Sequence, residues 1–158
     1  MTSVTSIVYK PEDTTPDPQD HYLRMPLDSV NLVAGYGIEG DRKGGNPNRN
    51  LNIMSYETLE ALHEEGFSTL PGQMGEQIDI KGLDVGKLVT GDRLKIGDTA
   101  IVEVISHRTG CQRFEYIQGR TPQQAAGRMG VMAKVVTGGR IAVGDSVKFL
   151  QPTPHMTE

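Results

Sequence analysis

Val89-Thr90-Gly91-Asp92-Arg93-Leu94-Lys95-Ile96-Gly97-Asp98 returns 47 residues later as Val136-Thr137-Gly138-Gly139-Arg140-Ile141-Ala142-Val143-Gly144-Asp145, with six of ten positions identical. Each copy reads as a turn, a short alternating strand, a Gly-Asp turn and the start of another strand. Glycine supplies positive φ, and aspartate bonds nearby backbone amides. Two copies indicate recurrent hairpin geometry rather than a solenoid. Working outward, other short β-branched segments are punctuated by Gly, Pro, Asn and Asp. They are Val4 to Tyr9, Val30 to Ala34, Leu51 to Met54, Gln77 to Ile80, Arg93 to Ile96, Ala100 to Ser106, Val131 to Thr137 and Ser146 to Leu150. Ala100 to Ile105 is apolar on nearly both faces and should be central. The expectation is a mainly β, barrel-like fold of short strands with two or three short helices.

Two helices are signalled. Ser55 is placed to cap Tyr56 to Glu65, Met54 and Leu59 have the spacing of a hydrophobic staple, and Gly66 ends the helix. Thr121-Pro122-Gln123-Gln124 is a capping box with proline at the first helical position. Nothing marks a domain boundary, so residues 1–158 form one domain with its core at about 4–150. Residues 11–20 are an acidic loop expected to lack fixed structure, and 151–158 a tail.

One cysteine among 158 residues permits no internal disulfide, no paired-cysteine zinc ribbon and no iron–sulfur cluster held by this chain alone, which fits a reducing cytoplasm. No secretion signal or run of bilayer length is seen, so a soluble protein with no membrane partner is expected. A net charge of −4, no tryptophan and three phenylalanines argue against nucleic acid as a partner. Charge is unevenly distributed. Residues 1–41 carry seven acids against Lys10 and Arg24, whereas 104–144 carry Arg108, Arg113, Arg120, Arg128, Lys134 and Arg140 against Glu115 alone. A small anionic ligand suits the second stretch; solvated charges on strand edges would give the same pattern.

Cys111 lies in that cationic stretch, within Ser106-His107-Arg108-Thr109-Gly110-Cys111-Gln112-Arg113-Phe114. Arginine and protonated histidine nearby favour the thiolate, which attacks electrophiles, carries a persulfide or binds a soft metal. Free cysteine is also a common buried small hydrophobe, and packing alone is the competing reading. His107 could act as a base or help ionise Cys111. His21, His63 and His155 show no metal-ligand spacing. Gly35-Tyr36-Gly37-Ile38-Glu39-Gly40-Asp41-Arg42-Lys43-Gly44-Gly45 can present amides and cations to phosphate, or be a tight turn between strands. It is neither a Walker loop nor a dinucleotide fingerprint. Pro71-Gly72-Gln73-Met74-Gly75-Glu76-Gln77 ends in a carboxylate and an amide that could read a heterocycle edge, or simply hold the turn by bonding its backbone.

In order, these pieces resemble the MOSC family, named after the C-terminal domain of molybdenum cofactor sulfurase, over roughly residues 4–149. Gly35-x-Gly37-x-x-Gly40-Asp41-Arg42 resembles the family's Gly-x-Gly-Ile-Glu-Gly-Asp loop. Pro71-Gly72-x-x-Gly75-Glu76-Gln77 resembles its Pro-Gly-x-x-Gly-Glu-Asn turn, and Gly130-Val131-x-Ala133-x-Val135-x-x-Gly138-Gly139-x-Ile141-x-Val143-Gly144-Asp145 its ending. The resemblance implies a barrel-like fold and molybdenum cofactor, a molybdenum on the dithiolene of a phosphorylated pterin. It implies an enzyme, either a molybdenum-cofactor-dependent oxidoreductase that reduces N-hydroxylated or related N-oxygenated compounds or a sulfurtransferase that takes part in sulfuration of the cofactor. The alternative it leaves is a non-catalytic cofactor carrier or persulfide relay. By position, Cys111 would be the molybdenum ligand or persulfide carrier. Arg42, Lys43 and Arg49 would meet the cofactor phosphate, Arg108 or Arg113 would hold the anion near the metal, and Glu76 and Gln77 would face the pterin. This chain departs from the family in having Arg42-Lys43 where relatives often place histidine or tyrosine, and Gln77 where they have asparagine. The pyridoxal-phosphate portion of the full sulfurase is absent, and no lysine is assigned to that cofactor. An electron-donor or sulfur-donor protein is therefore the implied partner.

Overall fold

The computed structural model describes residues 2–10, 24–41, 45–48, 50–108, 118, 125 and 127–150. The acidic loop, the tail and the capping box at Thr121–Gln124 lie outside the described residues. Each of the eight strands read from alternation forms. These are β1 (Ser3–Tyr9), β3 (Ser29–Val33), β5 (Leu51–Ser55), β6 (Ile78–Lys81), β7 (Arg93–Ile96), β8 (Ala100–His107), β9 (Val131–Thr137) and β11 (Val147–Leu150). Three short ones join them: β2 (Met25–Pro26), β4 (Gly37–Ile38) and β10 (Gly139–Ala142), the last being the strand of the second hairpin copy.

Eight strands form one sheet in the order β11-β7-β8-β9-β5-β6-β1-β2, and β10-β3-β4 form a second. The large sheet curls until β1 meets the approach to β11. Ser3 bridges Ser146, and the Val4 N–H donates to the Asp145 carbonyl at 2.9 Å while the Gly144 N–H donates to the Val4 carbonyl at 2.8 Å. Curling brings Val4, Ile7, Ile53, Ile78, Ile80, Val102, Val104 and Ala133 into one buried cluster. Alternation along β8 explains its share: Ala100, Val102 and Val104 are buried, while Ile101, Glu103 and Ile105 are half-buried. Its place between β7 and β9 matches the expectation of a central strand.

Among the described residues only β5 and β6 pair in parallel, because helix α1 (Tyr56–Glu64) carries the chain across between them. Leu59 and Leu62 make the helix's buried face and pack with Met54, Phe67 and Met74 in a second cluster outside the barrel. Each fully buried leucine contributes about 1.5–3 kcal/mol. The helix ends as expected at Gly66, whose φ is +96°, and the Phe67 N–H reaches back to the Leu62 carbonyl. Its start differs from expectation. Ser55 sits at the N-cap position but makes no side-chain cap. Its buried hydroxyl instead donates to the Leu83 carbonyl at 2.7 Å and accepts from the Val85 N–H at 2.8 Å, tying β5 to the 3-10 turn Val85–Lys87. Among the described residues, no helix is long and apolar enough to cross a membrane.

Candidate functional site

The first glycine loop is a clamp whose two ends are buried. Gly37 must be glycine, since a Cβ there would lie 2.6 Å from the Asn50 carbonyl oxygen at a φ of +112°. The chain then passes through buried Ile38 to Asp41, which is fully buried. The Asp41 carboxylate accepts the Lys10 N–H at 3.1 Å and a short hydrogen bond from Gln77 Nε2, while the Tyr36 hydroxyl donates to the Asp41 carbonyl at 2.8 Å. At the far end, Asn50 Oδ1 accepts the Val135 N–H at 3.0 Å and Nδ2 donates to the Asn46 carbonyl at 3.0 Å. Arg42, Lys43 and Arg49, the sequence-derived phosphate contacts, fall between these anchors and outside the described residues.

Glu76 and Gln77 close the second turn. Glu76 is 1 % exposed, and its two oxygens accept the Gly72 and Met74 amides, each at 3.2 Å. Gln77 is equally buried: Oε1 accepts the Asn52 N–H at 2.6 Å, and Nε2 goes to Asp41. Each side chain thus bonds the backbone or another buried group, as the turn-holding reading requires. Asp79, two residues on, was not singled out by sequence. Burial, then the charge of Glu76 and a hydrogen bond with it, push the Asp79 carboxyl up to about 10. The signal was there: a carboxylate between Ile78 and Ile80 on a buried strand has to face away from the barrel core.

The third arm carries the cysteine. At the end of β8, His107 Nε2 lies 2.7 Å from the Leu88 carbonyl; an oxygen that can only accept requires Nε2 to carry the proton, leaving Nδ1 to accept in the neutral ring. Arg108 donates from Nη1 to the Met129 carbonyl and from Nη2 to the Met74 carbonyl, each at 3.1 Å. Its own N–H reaches the Gly130 carbonyl. Cys111 and Arg113 lie within 109–117, outside the described residues, but both flanks of that segment are fixed. On the far side Gln118 Nε2 donates to the Ser68 carbonyl at 2.9 Å and the Gln73 carbonyl at 3.1 Å, and Oε1 accepts the Ser68 N–H at 2.7 Å. The described residues on either side of that segment, Arg108 and Gln118, therefore bond the same stretch, Ser68 to Met74.

A cavity of about 330 Å³ adjoins Gly130, with Lys87 and Arg128 among its lining groups. Arg128 is a cation that sequence placed in the positive stretch without assigning a role. It is held by both oxygens of Glu65, and that hydrogen bonding, then the carboxylate's charge, raises its already high pKa further.

Three comparisons bear on this arrangement. The model of the MOSC domain matches residues 40–148. Among solved structures, YiiM from Geobacillus stearothermophilus superposes with a TM-score of 0.73 at 17 % identity, over 96 % of this chain and 76 % of that one. YiiM from Escherichia coli gives 0.70 at 19 %, over 96 % and 71 %, and the YuaD protein from Bacillus subtilis 0.72 at 21 %, over 93 % and 94 %. At such identities the likeness is one of fold. No curated protein gives a significant match.

Proposed function

We infer the function from one premise: this chain belongs to the MOSC domain family, which is associated with molybdenum cofactor. The reading is a cofactor-binding oxidoreductase in which the Cys111 thiolate is the molybdenum ligand and N-hydroxylated or related N-oxygenated compounds are reduced. Converting N–OH to N–H and water takes two electrons and two protons, and a separate donor protein supplies the electrons.

A single observation carries the reading. Asp41 at one end of the glycine loop and the two described flanks of the cysteine segment meet on the turn that runs from Ser68 to Gln77. Asp41 opens the cationic segment and bonds Gln77, Arg108 bonds the Met74 carbonyl, and Gln118 bonds Ser68 and Gln73. In this reading a soft sulfur donor, Cys111, acts with the cations Arg42, Lys43 and Arg49, a donor set that suits a metal carried on an anionic phosphorylated pterin. When bound, the cofactor supplies the redox centre. The protein's own groups have narrower roles. Arg42, Lys43 and Arg49 bind the phosphate and Arg113 holds anionic substrate or cofactor oxygen. His107, its Nε2 proton fixed on Leu88, offers Nδ1 to a proton. Arg108, Glu76 and Gln77 set the turn from behind. An unpaired thiol in this role suits a reducing compartment such as the cytoplasm.

The test is elemental analysis of protein made in cells that synthesise the cofactor. Wild type should carry molybdenum and Cys111→Ser should lose it. If Cys111→Ser retains molybdenum at the wild-type level, the ligand assignment is overturned. A reductant-labile mass increase of one sulfur on Cys111, without molybdenum, would replace the reductase reading with a relay.

A further inference from the structure

A groove of about 300 Å³, reaching Thr69 and Pro71 of the Ser68–Gln77 turn, runs between α1 and the paired strands β1 and β6. Strand alternation puts Asp79 there. Ile78 and Ile80 belong to the barrel core, so the side chain between them points the other way, toward the helix. Asp79 is 4 % exposed, lines the groove, and its Oδ1 has no hydrogen-bond partner among the described residues. Buried carboxyl oxygens are nearly always partnered, because desolvating one without a donor costs on the order of 1–3 kcal/mol. The raised pKa of this carboxyl reports the same discomfort.

The remaining lining defines what the donor should be. Thr5 and Ser6 of β1 contribute hydroxyls beside Asp79, while Leu59, Pro71 and the Tyr56 ring give an apolar wall. Glu60 and Glu64 stand at the rim with His63, all exposed on α1. Two cations stand nearby: Lys81, whose Nζ lies 5.4 Å from the Tyr56 ring centroid, and Arg24, whose side chain packs against Gly72 of the turn. Acceptors and acids thus surround a narrow floor with an apolar side, and a compact N–H donor with positive charge satisfies both. Among the described residues no cluster of three or more His, Cys, Asp or Glu could hold a metal ion, and the apolar wall beside the acceptors suits a cation carried on a short aliphatic chain.

We propose that this groove is a binding site for a compact organic cation, a primary ammonium or guanidinium on a short aliphatic chain, with Asp79 Oδ1 as the acceptor at its floor and Glu60 and Glu64 as its charged rim. The site is separate from the cofactor reading and stands without it. Its ligand is either a free amine or the side chain of a basic residue, and the two are distinguished by probe.

The experiment follows backbone amide shifts of Thr5, Ser6 and Thr69 in labelled protein titrated with n-butylammonium or with Nα-acetyl-lysine amide; n-butanol and tetramethylammonium serve as controls. Saturable shifts with a Kd on the order of 1 mM are expected for butylammonium. Saturation by acetyl-lysine amide at lower concentration than butylammonium supports the site and assigns it to a basic side chain. Both controls should be silent, butanol for want of charge and tetramethylammonium for want of an N–H. Asp79→Leu, which removes the oxygen while filling the space, should weaken binding about tenfold or more. Glu60→Gln/Glu64→Gln, on an exposed helix face that cannot disturb folding, should weaken it about threefold. Equal shifts from butanol, wild-type affinity in folded Asp79→Leu, an unchanged Kd in the double rim variant, or silence with both ammonium probes would each overturn the proposal.

Discussion

Asp79→Asn should make the protein more stable at neutral and alkaline pH, although it removes a buried acid from the middle of a strand. The wild-type carboxyl is pushed up to about 10 by burial and by Glu76, against about 3.9 in an unfolded chain. Between those values the folded state keeps a proton that the unfolded state gives up. Stability from this group is complete below the unfolded value and is eroded as pH rises toward the folded one. The slope for one proton is about 1.4 kcal/mol per pH unit, so from pH 6 to pH 8 wild type should lose up to about 2.7 kcal/mol. In a chain of this length that is a fall in Tm of roughly 5–10 °C. Asparagine needs no proton to donate toward Glu76, so the variant should lack this component. The assay is urea unfolding followed by circular dichroism at pH 6, 7 and 8 for both proteins, reading the difference between them so that the histidines cancel. A difference that does not grow with pH would refute the reasoning, as would a variant less stable than wild type at pH 8.

Two further substitutions probe the turn and its surroundings. Gln77→Glu removes the donor to Asp41 and sets two carboxylates against each other in a buried site, which should cost about 3–5 kcal/mol by urea unfolding. Adding Asp41→Asn returns a donor to the pair and should recover at least about 1 kcal/mol of that loss in a double-mutant cycle. Gly130→Ala would place a Cβ 2.1 Å from the Ile53 carbonyl oxygen at a φ of +79°, against backbone that cannot yield cheaply. A loss of at least about 3 kcal/mol is expected, visible as lowered Tm or as insoluble protein.

How far the fold could be read in advance follows from the physics of each element. Strands of four to eight residues carry their own alternation and turn punctuation, so all eight were placed to within about two residues at their ends. Met25–Pro26 and Gly37–Ile38 are too short to have a period; they are strands only because Val8 and Leu32 stand opposite them. Ser55 shows the limit of local rules. Its position predicted a cap, but Leu83 and Val85, some 30 residues away, offer a buried donor and acceptor that claim the hydroxyl. The site was legible as a set of motifs and not as a geometry. Nothing local indicates that Asp41 is bound to Gln77 or that Arg108 and Gln118 grip the same turn, since those bonds span 36, 34 and 45 residues.

The adjacent pair at 76 and 77 shows how such a turn limits its own sequence. Two backbone amides, those of Gly72 and Met74, converge on residue 76, and only a carboxylate presents two acceptor oxygens to them; glutamine would set an amide NH₂ against one donor. At 77 the demand is mixed. The Asn52 N–H needs an acceptor and the Asp41 carboxylate needs a donor, and an amide side chain supplies one of each. The order Glu-Gln is therefore dictated by partners, and reversing it would leave wrong polarity at both positions. Glu76 also bears on Asp79. Burial first, then the charge of Glu76 and a hydrogen bond with it, push the Asp79 carboxyl up to about 10. The turn that bonds Arg108 and Gln118 and the buried carboxyl in the groove thus share one residue, Glu76, which accepts two turn amides and adds its charge to the burial of Asp79.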